Sequence, residues 1–250
     1  KDSVIKGIGD LADMMTENLH KVKERFLKRN VNGFRLSKME FGIYEEYLKK
    51  QKAGEAFVID TDEIKEMIPG YIPKLADDFH ERSSKISKAV FAEALKKNTH
   101  DSVIFTAGGS GSGKSETFLP VLKQNSLNSI IFDGTMAEYD SAMRKIAQAI
   151  EYGKEVKLGA LYIDIEEAWR FAKTRERSVD KIFAEKHFKF RETMYRIAKE
   201  NPNVKFDVRV NNIAENKLDD QNFSTREELL EYLDKRRFGS IEDIIKKIKD

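Results

Sequence analysis

The stretch "SVIFTAGGSGSGKSETF", residues 102–118, decides how this chain is read. Its first half, "SVIFTAG" (102–108), is a short apolar run with β-branched and aromatic residues, the texture of a strand buried on both faces. "ETFLPVLKQ" leads out with helical character, and in between Gly108, Gly113, Lys114 and Ser115 fit G-x-x-x-x-G-K-[ST]. The spacing has a mechanical reason. Small residues let successive backbone N–H groups curl around a β-phosphate, the lysine reaches the β/γ oxygens, and the serine hydroxyl holds Mg²⁺. A strand before the loop and a helix N-terminus facing the phosphates separate such a cradle from an incidental glycine-rich loop. The residues expected to contact ATP are Gly108, Gly109, Ser110, Gly111, Ser112, Gly113, Lys114, Ser115 and Glu116, with Mg²⁺ as second cofactor. Pro120 predicts a kink or an early end in the outgoing helix.

Working outward, short apolar runs alternate with segments long enough for crossover helices: "AFVID" (56–60), "SIIFDG" (129–134), "GALYIDI" (159–165) and "FDVRVNN" (206–212). Together with 102–108 they predict an α/β fold, a P-loop-type parallel sheet of about five strands with helices on both faces. Residues 1–53 read as helical. "VIKGIGDLADMMTENLHKVKERFLKR" is followed by a polar break at "NVNG", then by "SKMEFGIYEEYLKKQKAG" with Ser37 as N-cap and Gly54 as stop. The tail, "STREELLEYLDKRRFGSIEDIIKKIKD", reads as helical with a capping box at Ser224 and Glu227. The expected division is a helical segment over 1–54, a P-loop core over 55–215 and a helical tail over 216–250.

Composition narrows the functional classes. The 250 residues are 40% hydrophobic and 35% charged, with a net charge of only +2, which speaks against a dedicated nucleic-acid or membrane surface. There is no cysteine, so disulfides, thiolate catalysis and cysteine metal sites are excluded, in keeping with a reducing, cytoplasmic setting. No apolar run approaches the roughly 20 residues that span a bilayer.

Acids stand at predicted strand ends, where open α/β sheets bind ligands: Asp60 and Asp62 in "VIDTDE", Asp133 in "IIFDGT" and Asp164 in "LYIDI". Each is equally readable as a solvated turn residue. "SIIFD" follows Lys114 by nineteen residues, the placing of a Walker B strand, so Asp133 is expected to hold Mg²⁺ through water or to act as a base.

Several tracts together resemble the zeta toxin family of P-loop kinases, which phosphorylate the sugar 3′-hydroxyl of UDP-N-acetylglucosamine. "VIDTDEIKEMIPGY" resembles the family's acidic strand-end motif, and "FHERSSKISKAVFAEALKK" the histidine-containing helix after it. "IIFDGTMAEYDSAMRKIAQAIEYGKEVKLGALYIDIEEAWRFAKTRER" resembles its E/D-G-T turn, helix, strand and arginine-bearing helix. The order departs from the family, because here the I-D-x-D unit precedes the P-loop by about fifty residues. Parallel-sheet geometry permits that, since spatial strand order survives a changed chain order.

The resemblance implies Asp62 as general base, Asp60, Asp133 and Thr135 as substrate contacts, and Arg175 beside Lys114 in phosphate stabilisation. It implies Ser115 and Asp133 at the metal, a small-molecule hydroxyl as acceptor, and a protein antitoxin as partner. The family's arginine after G-T has no counterpart in "MAEYD", Glu93 stands in for an acidic contact, and Lys186, Lys189 or Arg191 for a second phosphate-binding arginine. Arg170 and Arg177 read equally as a solvated helix face, His80 as a cap, and Trp169 as core. Other readings stay open: a kinase acting on a nucleotide, NAD or a polynucleotide end with Asp133 as base, an NTP-hydrolysing switch, or a nucleotide-binding module.

Overall fold

The computed structural model describes residues 14–16, 29–76, 78–174 and 180–249. The helix expected at the N-terminus lies outside the described residues except for a helical turn at Met14–Thr16. The polar break that follows it is a hairpin. Strands β1 (Arg29–Val31) and β2 (Phe34–Leu36) pair antiparallel about Asn32 and Gly33, with φ of 51° and 86°. Two consecutive positive φ values make the tight turn whose favoured pair is Asn-Gly, so "NVNG" is a turn between strands and not a gap between helices. Helix α1 (Lys38–Leu48) starts on a full capping box: Glu40 N–H donates to Ser37 Oγ, and Ser37 N–H donates to the Glu40 carboxylate. It ends at Leu48, well before the expected stop; Gly54 (φ 79°) turns the following loop instead.

The main sheet has six strands. In spatial order they are β3 (Phe57–Asp60), β5 (Ser129–Asp133), β4 (Ser102–Gly108), β6 (Glu155–Tyr162), β7 (Lys205–Asn212) and β8 (Lys217–Gln221). The first five run parallel, and β8, which the sequence reading lacks, returns antiparallel on β7. Helices α2 (Thr61–Glu66), α3 (His80–Lys97), α4 (Leu119–Asn125), α5 (Tyr139–Glu151), α6 (Ile165–Ala172) and α7 (Asp180–Glu200) connect or cover the strands. Helices α8 (Arg226–Asp234) and α9 (Ile241–Lys249) close the chain. The α8 cap is one residue later than expected: Thr225 Oγ1 accepts from Glu228 N–H, and Ser224 N–H donates to the Glu228 carboxylate.

Alternation along the central strands explains the unbroken apolar runs. Val103, Phe105 and Ala107 of β4 and Ile130 and Phe132 of β5 join the large core with α3 and α7, where Phe91 meets Phe105 and Phe132 edge-on. Ile104 and Ile131 face the other way, onto Phe118 and Leu122. Each fully buried side chain of this size contributes about 1.5–3 kcal/mol relative to exposure. The helix after the P-loop begins as a π turn, Lys114–Phe118, before α4. Pro120 has no N–H to return to the chain, and the wider turn, with Leu119 N–H on the Lys114 carbonyl, absorbs the defect at the start of the helix.

Candidate active site

Parallel register brings the ends of β3, β5 and β4 to one edge. Asp60 is the direct partner of Asp133, and β4 delivers Gly108 and the loop beside them. Ligands bind at that edge in open α/β sheets.

Residues 108–116 line a 210 Å³ cavity, together with Asp62, Thr135 and Lys186. The loop's shape is fixed from behind. His187 of α7, buried under it, donates from Nε2 to the Ser110 carbonyl at 2.8 Å, and Asn211 Nδ2 donates to the Ser112 carbonyl at 2.9 Å. With those carbonyls turned away from the cavity, the N–H groups of the loop are left to face a ligand. Two glycines are required by this packing. A β-carbon on Gly109 would lie 2.2 Å from the His187 ring, and Gly113 combines φ of 83° with an approach of 2.5 Å to Asn211. Burial, then the Arg191 charge, push His187 down to about 3, so the ring is a neutral donor. Neither His187 nor Asn211 is among the residues expected from the sequence; the one signal, a histidine on the buried face of α7, is common to core histidines.

The two acids of "DTD" differ in role. Asp60 caps α2, its Oδ1 accepting Asp62 N–H at 2.8 Å and Glu63 N–H at 3.3 Å. Desolvation, then the Asp133 charge, raise its carboxyl above the usual range. Asp62 projects from the first turn of α2 and pairs with Lys65 at 2.8 Å. Its side chain stays largely exposed, so the desolvation that opposes the ionised form is outweighed by the Lys65 hydrogen bond and charge, with Lys114 and His80 behind, and the carboxyl is held low. Adjacent environments thus push two acids in opposite directions. The turn is braced by Tyr47 of α1, fully buried, whose hydroxyl accepts Asp60 N–H at 2.9 Å and donates to Glu63 at 2.8 Å. Tyr47 too is not among the residues expected from the sequence, where this stretch reads simply as helical.

Asp133 is buried and accepts from Lys114 Nζ at 2.5 Å and from the Thr106 hydroxyl. The turn after it is pinned: Gly134 N–H donates to Thr106 Oγ1, and Thr193 Oγ1 donates to the Ala137 carbonyl. Beyond lies a second cavity of 290 Å³ reaching from Asp60, Asp62 and Asp133 to helices α3 and α5. Asp62, Lys114 and Thr135 line both cavities.

The remaining expected residues fall as follows. Ser115 and Glu116 stand on the loop cavity and His80, exposed at the start of α3, on the second cavity. Lys186 reaches the loop, whereas Lys189 pairs with Glu138 and Glu185, and Arg191 is buried on the carbonyls of Ile163 and Arg236. Glu93 faces the hairpin, accepting from Asn32 at 2.9 Å, so it is no substrate contact. Asp164 caps α6 and Trp169 stacks on Phe183 at 5.0 Å, while Arg170 is exposed. Arg175 and Arg177 lie outside the described residues.

Among the described residues no group of three or more histidine, aspartate or glutamate side chains converges as a metal cage, and no helix is long and apolar enough to cross a membrane. Mg²⁺ in phosphate sites needs no such cage, since one or two carboxylates and the phosphates themselves hold it. Ser115 on the loop cavity and Asp133, on the adjoining cavity and bonded to the loop's Lys114, fit that requirement.

Residues 122–224 match the family model described as Zeta toxin. That segment, less than half of the chain, is similar to the zeta toxin family. The coarse reading the match supports is a P-loop kinase of the zeta toxin kind. No curated protein matches the chain. Among solved structures, a chain of the PezAT chromosomal toxin-antitoxin system of Streptococcus pneumoniae is 11% identical, with 85% of this chain and 78% of that one covered and a TM-score of 0.45. A chain of the AvrRxo1-ORF1:-ORF2 complex is 12% identical, with 80% and 91% covered and a TM-score of 0.40. Both scores lie below 0.5, so the fold rests on the strand order itself.

Proposed function

We propose that this zeta toxin relative transfers the γ-phosphoryl group of Mg²⁺-ATP to a hydroxyl of a small molecule, with a nucleotide sugar such as UDP-N-acetylglucosamine as the acceptor its family implies. The observation that carries the reading is the sharing of Asp62, Lys114 and Thr135 by two cavities, one a phosphate cradle and one a side-chain-lined cleft. A phosphoryl group leaving the first enters the second past those residues.

In this mechanism the loop N–H groups and Lys114 hold the β- and γ-phosphates, and Ser115 and Asp133 hold the metal. Bound there, Mg²⁺ neutralises charge on the phosphate oxygens. Asp62 takes the proton of the acceptor hydroxyl as its oxygen bonds to the γ-phosphorus and the bond from that phosphorus to the ADP oxygen breaks. An ionised carboxylate suffices, because such transfer is mostly positioning and charge stabilisation. Asp62 suits the role better than Asp133, which is buried and already engaged by Lys114 and Thr106. Arg175 is the further phosphate contact that the family resemblance assigns, and an antitoxin covering the nucleotide site is the partner it implies.

The test incubates the chain with γ-labelled ATP, Mg²⁺ and a panel of UDP-N-acetylglucosamine, other nucleotide sugars, NAD, nucleosides and a 5′-hydroxyl oligonucleotide. Label on one acceptor is expected, falling by roughly 10²–10⁴ in Asp62→Asn with ATP binding kept. Lys114→Ala is expected to lose transfer as well. Release of free phosphate alone across the whole panel would overturn the kinase reading in favour of a hydrolytic switch.

A further inference from the structure

Asp62, the proposed base, has little of its own to hold it in place. Its side chain is largely exposed, and among the described residues its hydrogen-bond partner is Lys65, three residues on in the same short helix. A contact within one helix moves with that helix, so it does not set where the carboxylate stands against the P-loop. The backbone of the β3–α2 turn sets that. Two side chains reach this turn from other helices: Ser87 of α3 shares a hydrogen bond with Thr61 at 3.0 Å, and Tyr47 of α1 holds the turn on both sides of Asp62.

The Tyr47 hydroxyl accepts Asp60 N–H at 2.9 Å, ahead of Asp62 in the chain, and donates to the Glu63 carboxylate at 2.8 Å, behind it. Tyr47 is itself firmly seated. It is completely buried, its ring 6.3 Å from that of Phe57 on β3, with the Lys50 ammonium 4.4 Å over its face. Lys50, just past the end of α1, also pairs with Glu63, so that carboxylate is held from two positions. The start of α1 is anchored as well. Glu40, buried, closes the capping box and pairs with Lys85 of α3 at 2.7 Å. Between the two ends, Ile43, Tyr44 and Leu48 join the core of Ile59, Ile64 and Phe91. A helix fixed at both ends gives the acidic turn a rigid support.

We infer that Tyr47 is a positioning residue for phosphoryl transfer: by tying Asp60 N–H and the Glu63 carboxylate to α1, its hydroxyl sets where Asp62 stands beside Lys114 and the phosphate loop. The effect on turnover rests on Asp62 as the proposed base; the placing of Asp62 stands on its own. A base acts only within hydrogen-bond reach of the proton it takes, and a misplacement of about 1 Å can cost roughly 10²-fold in rate. The loop is clamped by His187 and Asn211, which lie outside this network. Tyr47 therefore bears on the rate of transfer and not on the binding of ATP.

The experiment compares Tyr47→Phe with Tyr44→Phe. Each removes one buried hydroxyl from α1, but Tyr44 faces Glu93 of α3, away from the acidic turn. With labelled ATP and the acceptor that wild type uses, kcat should fall about tenfold in Tyr47→Phe while KM for ATP stays within about twofold. Tyr44→Phe should keep both. Tyr47→Phe added to Asp62→Asn should cost nothing further, because its effect runs through Asp62. A second readout needs no turnover: the Asp62 carboxyl, titrated by ¹³C NMR. Against desolvation, Lys65, Lys114 and His80 hold it below the usual carboxylate range in wild type. It should move upward in Tyr47→Phe, as the turn is freed from its place beside Lys114, and stay put in Tyr44→Phe. An unchanged titration or an unchanged kcat in Tyr47→Phe, or equal losses in the two variants, would overturn the inference. A moved titration in a chain that transfers label to no acceptor would sink the kinase reading and keep the placing of Asp62.

Discussion

The phosphate loop and the cleft proposed for the acceptor share Asp62, Lys114 and Thr135, yet they are built on opposite plans. The loop offers a ligand mostly backbone, carried on glycines and serines and clamped from behind by His187 and Asn211. The cleft offers side chains gathered from the β3–α2 turn, α3, the turn after β5 and α5. A backbone cradle tolerates few changes at its glycines, because each is fixed by a close approach, an unusual φ or both. A side-chain cleft can be retuned one residue at a time. Donor recognition in such a kinase is therefore the rigid half, and acceptor identity the adjustable half.

The largest effect should come from breaking the rigid half. Gly109→Ala places a methyl on the His187 ring, and ATP affinity should fall roughly ten- to hundredfold, matching the 1–3 kcal/mol typical of overpacking. Titration of ATP into the variant measures it. The double variant Gly109→Ala/His187→Ala should recover part of the loss, because the ring is the obstacle. Failure to recover would show that the loop is not fitted to His187.

A smaller effect sharpens the adjustable half. The groups facing Lys145 are Lys88 from α3, Arg144 on its own helix and the Phe132 ring from β5, with His80, Asp60, Asp62, Asp133 and Glu138 around the cavity. Burial, then Lys88 and Arg144, push the Lys145 ammonium down to about 8, which makes its share in stability pH-dependent. Urea unfolding of wild type beside Lys145→Arg, from about pH 8 to 10, measures it. Between about 8 and 10.5 the unfolded chain holds the lysine proton that the folded one has released, so this residue's contribution rises with pH there.

The smallest effect separates the neighbouring acids. Asp60→Ala removes the α2 cap and should lower stability by about 1 kcal/mol in urea unfolding. Asp60→Asn keeps an oxygen at the cap and relieves repulsion from Asp133, so it should lie within about 0.5 kcal/mol of wild type. An equal loss in both variants would mean that the charge, not the cap, is what Asp60 supplies.

Much of this architecture was legible because parallel strands buried on both faces read as unbroken apolar runs, and a phosphate cradle dictates its own glycine spacing. What escaped was specified otherwise. Strand β8, "KLDDQ", carries one apolar residue, as suits a charged edge strand, and β1 and β2 are too short to show alternation. His187, Asn211 and Tyr47 act only once α7, β7 and α1 lie against the loop and the β3–α2 turn, which no local spacing announces. The family match covers residues 122–224, so both the P-loop and the acidic turn in "VIDTDE" fall outside it.

The order of the strands along the chain has a consequence on the ribosome. Strand β3 is an edge strand whose one neighbour in the sheet is β5, and β5 follows the P-loop strand in the chain. Asp60 and Asp62 therefore emerge first and wait for Asp133 before the sheet can seat them. At the usual 5–20 residues per second the wait is on the order of several seconds. During it, among the described residues, α1 and α3 are what shelters the acidic turn, and the proposed base and the phosphate cradle are not yet neighbours. A nascent chain of this design stays inert until the centre of its sheet has been made.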